Sequence, residues 1–116
     1  MLKGARGTVR IMISAEFAAD LDNDAVTVQF PVIYRKPKAQ EAADVLAKAR
    51  KNEITDSEIA HMYVQGWDQV TRADGTPVAF SAEALDELLD TIEYRRAIAG
   101  GFVEVATGMN GSAAKN

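Results

Sequence analysis

A chain of 116 residues, 47% hydrophobic and 26% charged, has the size and balance of one folded domain with a modest core. Without cysteine it has no route to disulfides, thiolate chemistry or Cys-based zinc sites, and a net charge of −4 with no basic stripe argues against nucleic acid as the main partner. No apolar run approaches the ~20 residues of a membrane-spanning helix, and the start "MLKGARGTVRIMIS" lacks a signal-peptide core. The expectation is a soluble intracellular protein, with one α+β domain over residues 1–106 and a flexible tail over 107–116. The sequon at Asn110 then has no secretory context.

Residues 8–17 alternate with period two: Val9, Ile11, Ile13, Ala15 and Phe17 share one face, and Thr8, Arg10, Ser14 and Glu16 the other. Residues 26–34 repeat the pattern with Val26, Val28, Phe30, Val32 and Tyr34. The polar "AADLDNDA" between them suits a long hairpin loop. Pro31 lacks a ladder donor, which predicts an edge strand or a free side at that point.

From Pro37 the period lengthens. "PKAQEAADVLAKARKN" predicts a helix with a thin stripe of Ala39, Ala42, Ala43, Leu46 and Ala49. In "ITDSEIAHMY", Thr55 and Glu58 have the spacing of a capping box, and Ile54 and Ile59 that of a hydrophobic staple. Ile59, Met62, Tyr63 and Gly66 form the predicted buried stripe, with Gly66 as the helix stop. Over 70–79 the chain turns tightly, and Asp74-Gly75 fits a two-residue type I′ reversal. Ser81 is placed to cap the next helix, with Phe80 stapling onto Leu85. That helix should bury Leu85, Leu88, Leu89 and Ile92 and expose Glu83, Asp86, Glu87 and Asp90. A second stripe, Tyr94, Ala97, Ile98, Gly101, Phe102 and Val105, is out of phase with the first. It predicts a new helix after a break near 91–93 that runs through Gly100-Gly101. The fold class is therefore α+β: an N-terminal antiparallel β-hairpin, then three to four helices, with more than half of the chain helical.

No catalytic signature emerges. "DLDND" has the aspartate spacing of a calcium loop but Ala25 where glycine is needed and Pro31 where a bidentate glutamate is needed. His61 is the only histidine, and no serine sits in a nucleophile elbow. The glycines form no phosphate cradle. Arg35, Lys36 and Lys38 make a basic knot too small for nucleic acid. No cofactor, metal or enzymatic activity is expected.

Taken in order, Gly66-Trp67, Asp74-Gly75-Thr76-Pro77, Phe80-Ser81, Leu88-Leu89, Tyr94-Arg95 and Phe102 resemble the tail assembly chaperones of long-tailed phages and prophages. The resemblance spans residues 55–105. It implies a non-enzymatic protein of the host bacterial cytoplasm that coats the tape measure protein and is shed as tail-tube protein polymerises. Such a protein would be absent from the mature virion and would self-associate. A frameshifted longer form would follow if Lys115-Asn116 lies on a slippery run. The resemblance makes Phe102, Val103 and Val105 contact residues for the partner, whereas the sequence leaves them equally suited to the chain's own core. Two alternatives remain: a phage structural subunit of the tail tube or head–tail joint, and a small ligand-binding module with Trp67 in a pocket.

Overall fold

The two alternating segments form the long strands they predict. In the computed structural model, which describes residues 2–109, β1 (Thr8–Phe17) pairs antiparallel with β2 (Val26–Arg35) from Thr8↔Arg35 to Phe17↔Val26. Ile11, Ile13 and Ala15 of β1, with Phe30, Val32 and Tyr34 of β2, lie buried on one face. Val26 does not join them and stays 53% exposed at the hairpin end.

A third strand, β3 (Val64–Trp67), was not expected. It pairs with β2 to give the order β1-β2-β3, so β2 is central rather than an edge. Pro31 fits there because of its phase. Its carbonyl accepts from Asp68 N at 3.1 Å, and N–H and C=O of one residue point the same way in an antiparallel ladder. The proton-less nitrogen of Pro31 therefore faces the β3 side, just past the last pair, Val32↔Trp67. No ladder bond is lost. The edge-strand expectation was wrong, but the free side it called for exists at that residue.

Four helices follow the expected order: α1 (Ala39–Arg50), α2 (Asp56–Tyr63), α3 (Ala82–Leu89) and α4 (Ile92–Thr107). Together they cover well under half of the chain, less than the helical share expected. In α1 the buried residues are Ala42 and Val45, with Leu46 and Ala49 half-buried, while Ala39 and Ala43 face solvent. Asn52 supplies the left-handed residue (φ 59°) that ends α1, and Glu53 N bonds back to Lys48 O at 2.8 Å.

At α2 the capping box forms as its spacing requires. Glu58 N donates to Thr55 Oγ1 at 3.1 Å, and Thr55 N donates to Glu58 Oε1 at 2.9 Å. The two bonds satisfy donors that the helix itself leaves open. Thr55→Ala is expected to cost ~1 kcal/mol in urea denaturation, and Thr55→Ser should recover most of the loss. Equal stability of all three proteins would show that the box contributes nothing.

The buried stripe of α2 is Ile59, Ala60 and Tyr63; Met62 is 47% exposed. Gly66 is not its stop. The helix ends at Tyr63, and Gly66 lies in β3, where a β-bulge sets Gln65 and Gly66 together against Ile33. The extra residue matters because Val64 and Trp67 are an odd number of positions apart. Only with the bulge can both turn to the buried face.

The break before α4 falls where the two stripes lose phase. Asp90 is still helical (ψ −15°), whereas Thr91 is extended (ψ 120°). Arg95 then turns back, and its Nε donates to the Leu89 carbonyl at 2.9 Å, satisfying an open acceptor at the end of α3. Ile92, expected in the core, is the first residue of α4 and is 63% exposed. From there α4 runs unbroken through Gly100-Gly101, burying Ile98, Gly101, Phe102 and Val105, and Gly108 closes it at φ 73°. The helix takes in Thr107, the first residue of the expected tail. Residues 110–116, with the Asn110 sequon and Lys115-Asn116, lie outside the described residues.

Candidate functional site

The stretch from Gly66 to Ser81 assembles around Trp67. The indole is 8% exposed, its Nε1 donates to the Val78 carbonyl at 2.8 Å, and the Phe80 ring meets it edge-on at 5.0 Å and 87°. Phe80 thus packs edge-on against Trp67, while Ser81 caps α3 as expected, accepting from Ala84 N at 3.0 Å.

The turn itself is of another type. Gly75 N donates to Arg72 O at 2.9 Å, Arg72 N donates to Thr76 O at 2.8 Å, and only Gly75 has positive φ (88°). This is a type I turn over Ala73-Asp74 followed by a glycine bulge, not a type I′ pair. Asp74 decides it, because its Oδ1 accepts from Thr76 N at 3.0 Å and Thr76 Oγ1 at 2.7 Å. Those bonds hold the carboxyl below its ordinary value.

Trp67 forms one wall of a cleft of about 400 Å³, together with Val70, Ala73, Leu88 and Tyr94. Arg72 and Glu87 close its rim with an ion pair at 2.8 Å. With its N–H committed to Val78, the indole offers the cleft an apolar face. Trp67 is therefore a joint between β3, the turn and α3, and also the wall of an open cleft.

A second polar cluster joins β2, α1 and α2. Arg35 Nη2 contacts Glu41 Oε2 at 2.9 Å, the Tyr63 hydroxyl donates to the same oxygen at 2.5 Å, and Arg35 Cζ lies 4.6 Å from the Tyr63 ring centre. The Arg35 guanidinium and then the Tyr63 hydroxyl hold the Glu41 carboxyl at about 2. Burial, then the Glu41 bond, pushes Tyr63 up to about 12. A depressed carboxyl pKa adds stability that is complete above the unfolded value near 4.5 and is lost as pH falls towards 2. A raised tyrosine pKa adds stability present below 10 and lost as pH rises to about 12. Both effects are screened, since the Arg35 and Glu41 side chains are 40% and 35% exposed. Melting temperatures of Glu41→Gln measured from pH 2 to 6 should fall less steeply with acid than those of the parent. Parallel curves would remove Glu41 from the acid response.

Sequence patterning missed this cluster because its members lie on three elements, and Arg35 looked like part of a basic knot. His61 likewise has a surface partner, with Nε2 at 2.6 Å from Asp86 Oδ1, linking α2 to α3. Among the described residues no group of three or more His, Asp or Glu could hold a metal ion. No helix of the described residues is long and apolar enough to cross a membrane.

The three residues expected to contact a partner separate. Phe102 and Val105 are 2% and 3% exposed, and the Phe102 ring packs on Tyr63 at 4.6 Å. In this structure both belong to the chain's own core. Val103, 47% exposed, points outward. Ile92, Ala99 and Gly100 fall on the same side of α4 at helical spacing. Scans against family models, curated proteins and solved structures return no match for this chain.

Proposed function

We propose that this chain is a phage tail assembly chaperone. It binds the tape measure protein stoichiometrically in the host bacterial cytoplasm, keeps it soluble while the tail forms, and is left out of the finished virion. The observation that carries the reading is the outer side of α4. Ile92 and Val103 are 63% and 47% exposed, and Ala99 and Gly100 lie between them on the same side, with the exposed Arg96 among them. The small and apolar residues of that side, with the aliphatic stem of Arg96, accept the apolar face of a partner helix. The net charge of −4 keeps such a complex in solution. Binding would use Val103 directly, whereas Phe102 and Val105 would hold α4 in place from within.

The test is co-expression with a tape measure protein. The parent chain should raise its soluble yield and co-elute with it, and Val103→Asp, which alters an exposed site, should fold normally but lose both effects. An unchanged yield, with no complex by size exclusion, removes the proposal.

The three-stranded sheet favours a second reading as a phage structural subunit, which recovery of the chain in purified particles would support. The Trp67 cleft favours a third, a ligand-binding module, tested by titrating Trp67 fluorescence with small metabolites.

A further inference from the structure

Among the described residues, β1 has a strand neighbour on one side only. Lys36 N donates to Gly7 O at 2.9 Å, and Pro31 turns its carbonyl to Asp68 and away from Met12. The odd-numbered residues of β1 therefore bond to β2. Thr8, Arg10, Met12, Ser14 and Glu16 aim their N–H and C=O groups at the open side. No backbone bond joins that side to another segment among the described residues. The edge has no proline, no lysine and no bulge, and its pairing with β2 is unbroken along the whole strand, which leaves Arg10 and Glu16 as its only charges.

Beside this edge runs a groove of about 300 Å³, lined by Ser14 and Glu16 of β1 and by Glu93, Arg96 and Ala97 of α4. α4 packs mainly on β1 and much less on β2, so the helix lies beneath the edge strand and forms the far wall of the groove. Arg10 and Glu16, both exposed on the outer face, take part in none of the ion pairs among the described residues.

We propose that β1 is an acceptor edge for one more antiparallel strand, supplied by an extended segment of a partner protein. The segment carries a basic residue opposite Glu16, an acidic residue opposite Arg10, and apolar residues opposite Ala15, Ile13 and Ile11. Main-chain hydrogen bonds to Arg10, Met12, Ser14 and Glu16 provide the attachment, and the alternating side chains select the sequence. Inward side chains of the added strand meet Ala97 and the aliphatic stems of Glu93 and Arg96 on α4, and its charged ends meet Arg10 and Glu16 on the outer face.

A second copy of this chain matches the charges, because two β1 strands centred on Ile13 would place Arg10 opposite Glu16 twice. It does not match the space. Adjacent strands lie about 4.8 Å apart, whereas packed helices need about 8–10 Å. The second α4 would enter the volume the first occupies beneath the edge. The fitting occupant is a strand with no helix of its own below it. The inference does not depend on the chaperone reading and can stand or fall separately.

The probe is a capped, fluorescein-labelled peptide Lys-Val-Thr-Val-Thr-Val-Glu, with a charge-swapped version Glu-Val-Thr-Val-Thr-Val-Lys. Binding of the first is expected to slow amide exchange at Arg10, Met12, Ser14 and Glu16, and not at the odd-numbered positions already bonded to β2. The Arg10→Glu, Glu16→Lys double variant should lose about tenfold in affinity for the first peptide and prefer the swapped one. Ser14→Pro removes an outward donor without touching the β2 ladder and should abolish binding; if that variant does not fold, the charge exchange decides. No binding at about 1 mM peptide, or equal binding of both peptides by parent and double variant, overturns the proposal. So does dimerisation of the free protein that protects the same four amides, because the occupant would then be a second copy.

Discussion

Replacing Trp67 with alanine should cost ~3–5 kcal/mol of stability, in urea denaturation followed by far-ultraviolet circular dichroism. The residue buries on the order of 200 Å² and ties the end of β3 to the stretch that leads into α3. Its backbone ends β3 opposite Val32, its ring supports Phe80 just before the Ser81 cap, and its N–H ties down Val78 on the return of the turn. Trp67→Phe separates the contributions. It keeps an aromatic face for Phe80 but strips the Val78 carbonyl of its donor, and should cost roughly half as much. A loss below ~1 kcal/mol for the alanine variant, accompanied by loss of partner binding, would make Trp67 a contact surface instead of a joint.

The adjacent glycines of α4 should respond with opposite signs. At Gly101 an added Cβ would lie 3.0 Å from Tyr34 Cζ and 3.1 Å from Ile13 Cγ2, and closer still to the Tyr34 hydroxyl. That hydroxyl crosses the helix at this point to donate to the Ile98 carbonyl at 2.7 Å. Its burial, with Glu104 nearby, raises the tyrosine pKa well above its ordinary value. Gly101→Ala must displace a fully buried ring and break a buried hydrogen bond. A cost of about 2–4 kcal/mol remains after the ~1 kcal/mol that alanine returns to the helix. At Gly100 nothing lies within 4 Å of the added carbon, so Gly100→Ala should stabilise by up to ~1 kcal/mol. A double-mutant cycle of Gly101→Ala with Tyr34→Phe should show coupling, since the second change removes the clashing oxygen. Additive losses would place the strain elsewhere.

What was legible in the sequence follows from how local each cause is. The alternation of each strand, the Thr55–Glu58 box, the Ser81 cap and the phase break before α4 each depend on short stretches of chain, and all formed as patterned. The helix through Gly100-Gly101 was legible too, because Gly101 keeps the stripe and its close approach to Tyr34 gives the glycine a reason. What failed depended on distant partners. Val64–Trp67 is too short to show a period, and its bulge disguises the alternation, so Gly66 looked like a helix stop. Pro31 looked like an edge marker because ladder phase depends on which neighbour its carbonyl meets. Ile92, counted with the stripe of α3, falls past the break at Thr91 as the first residue of α4, and Met62 lies off the Ile59–Tyr63 face of α2. Of the proposed contact set, periodicity already placed Phe102 and Val105 on the inner stripe of α4 and Val103 off it.

The order in which this fold can be made follows from α4. The inner face of the strand pair emerges from the ribosome before the helices, and the helix that covers Ile13 and Tyr34 emerges last of the described elements. Until α4 is released, the nascent chain holds a half-covered sheet whose apolar side chains have only water or each other. Closure then joins elements almost a full chain length apart, a slow step compared with local helix formation. During synthesis the unpaired β1 edge and this uncovered face are exposed together, the conditions under which a nascent chain aggregates or is captured by a holdase.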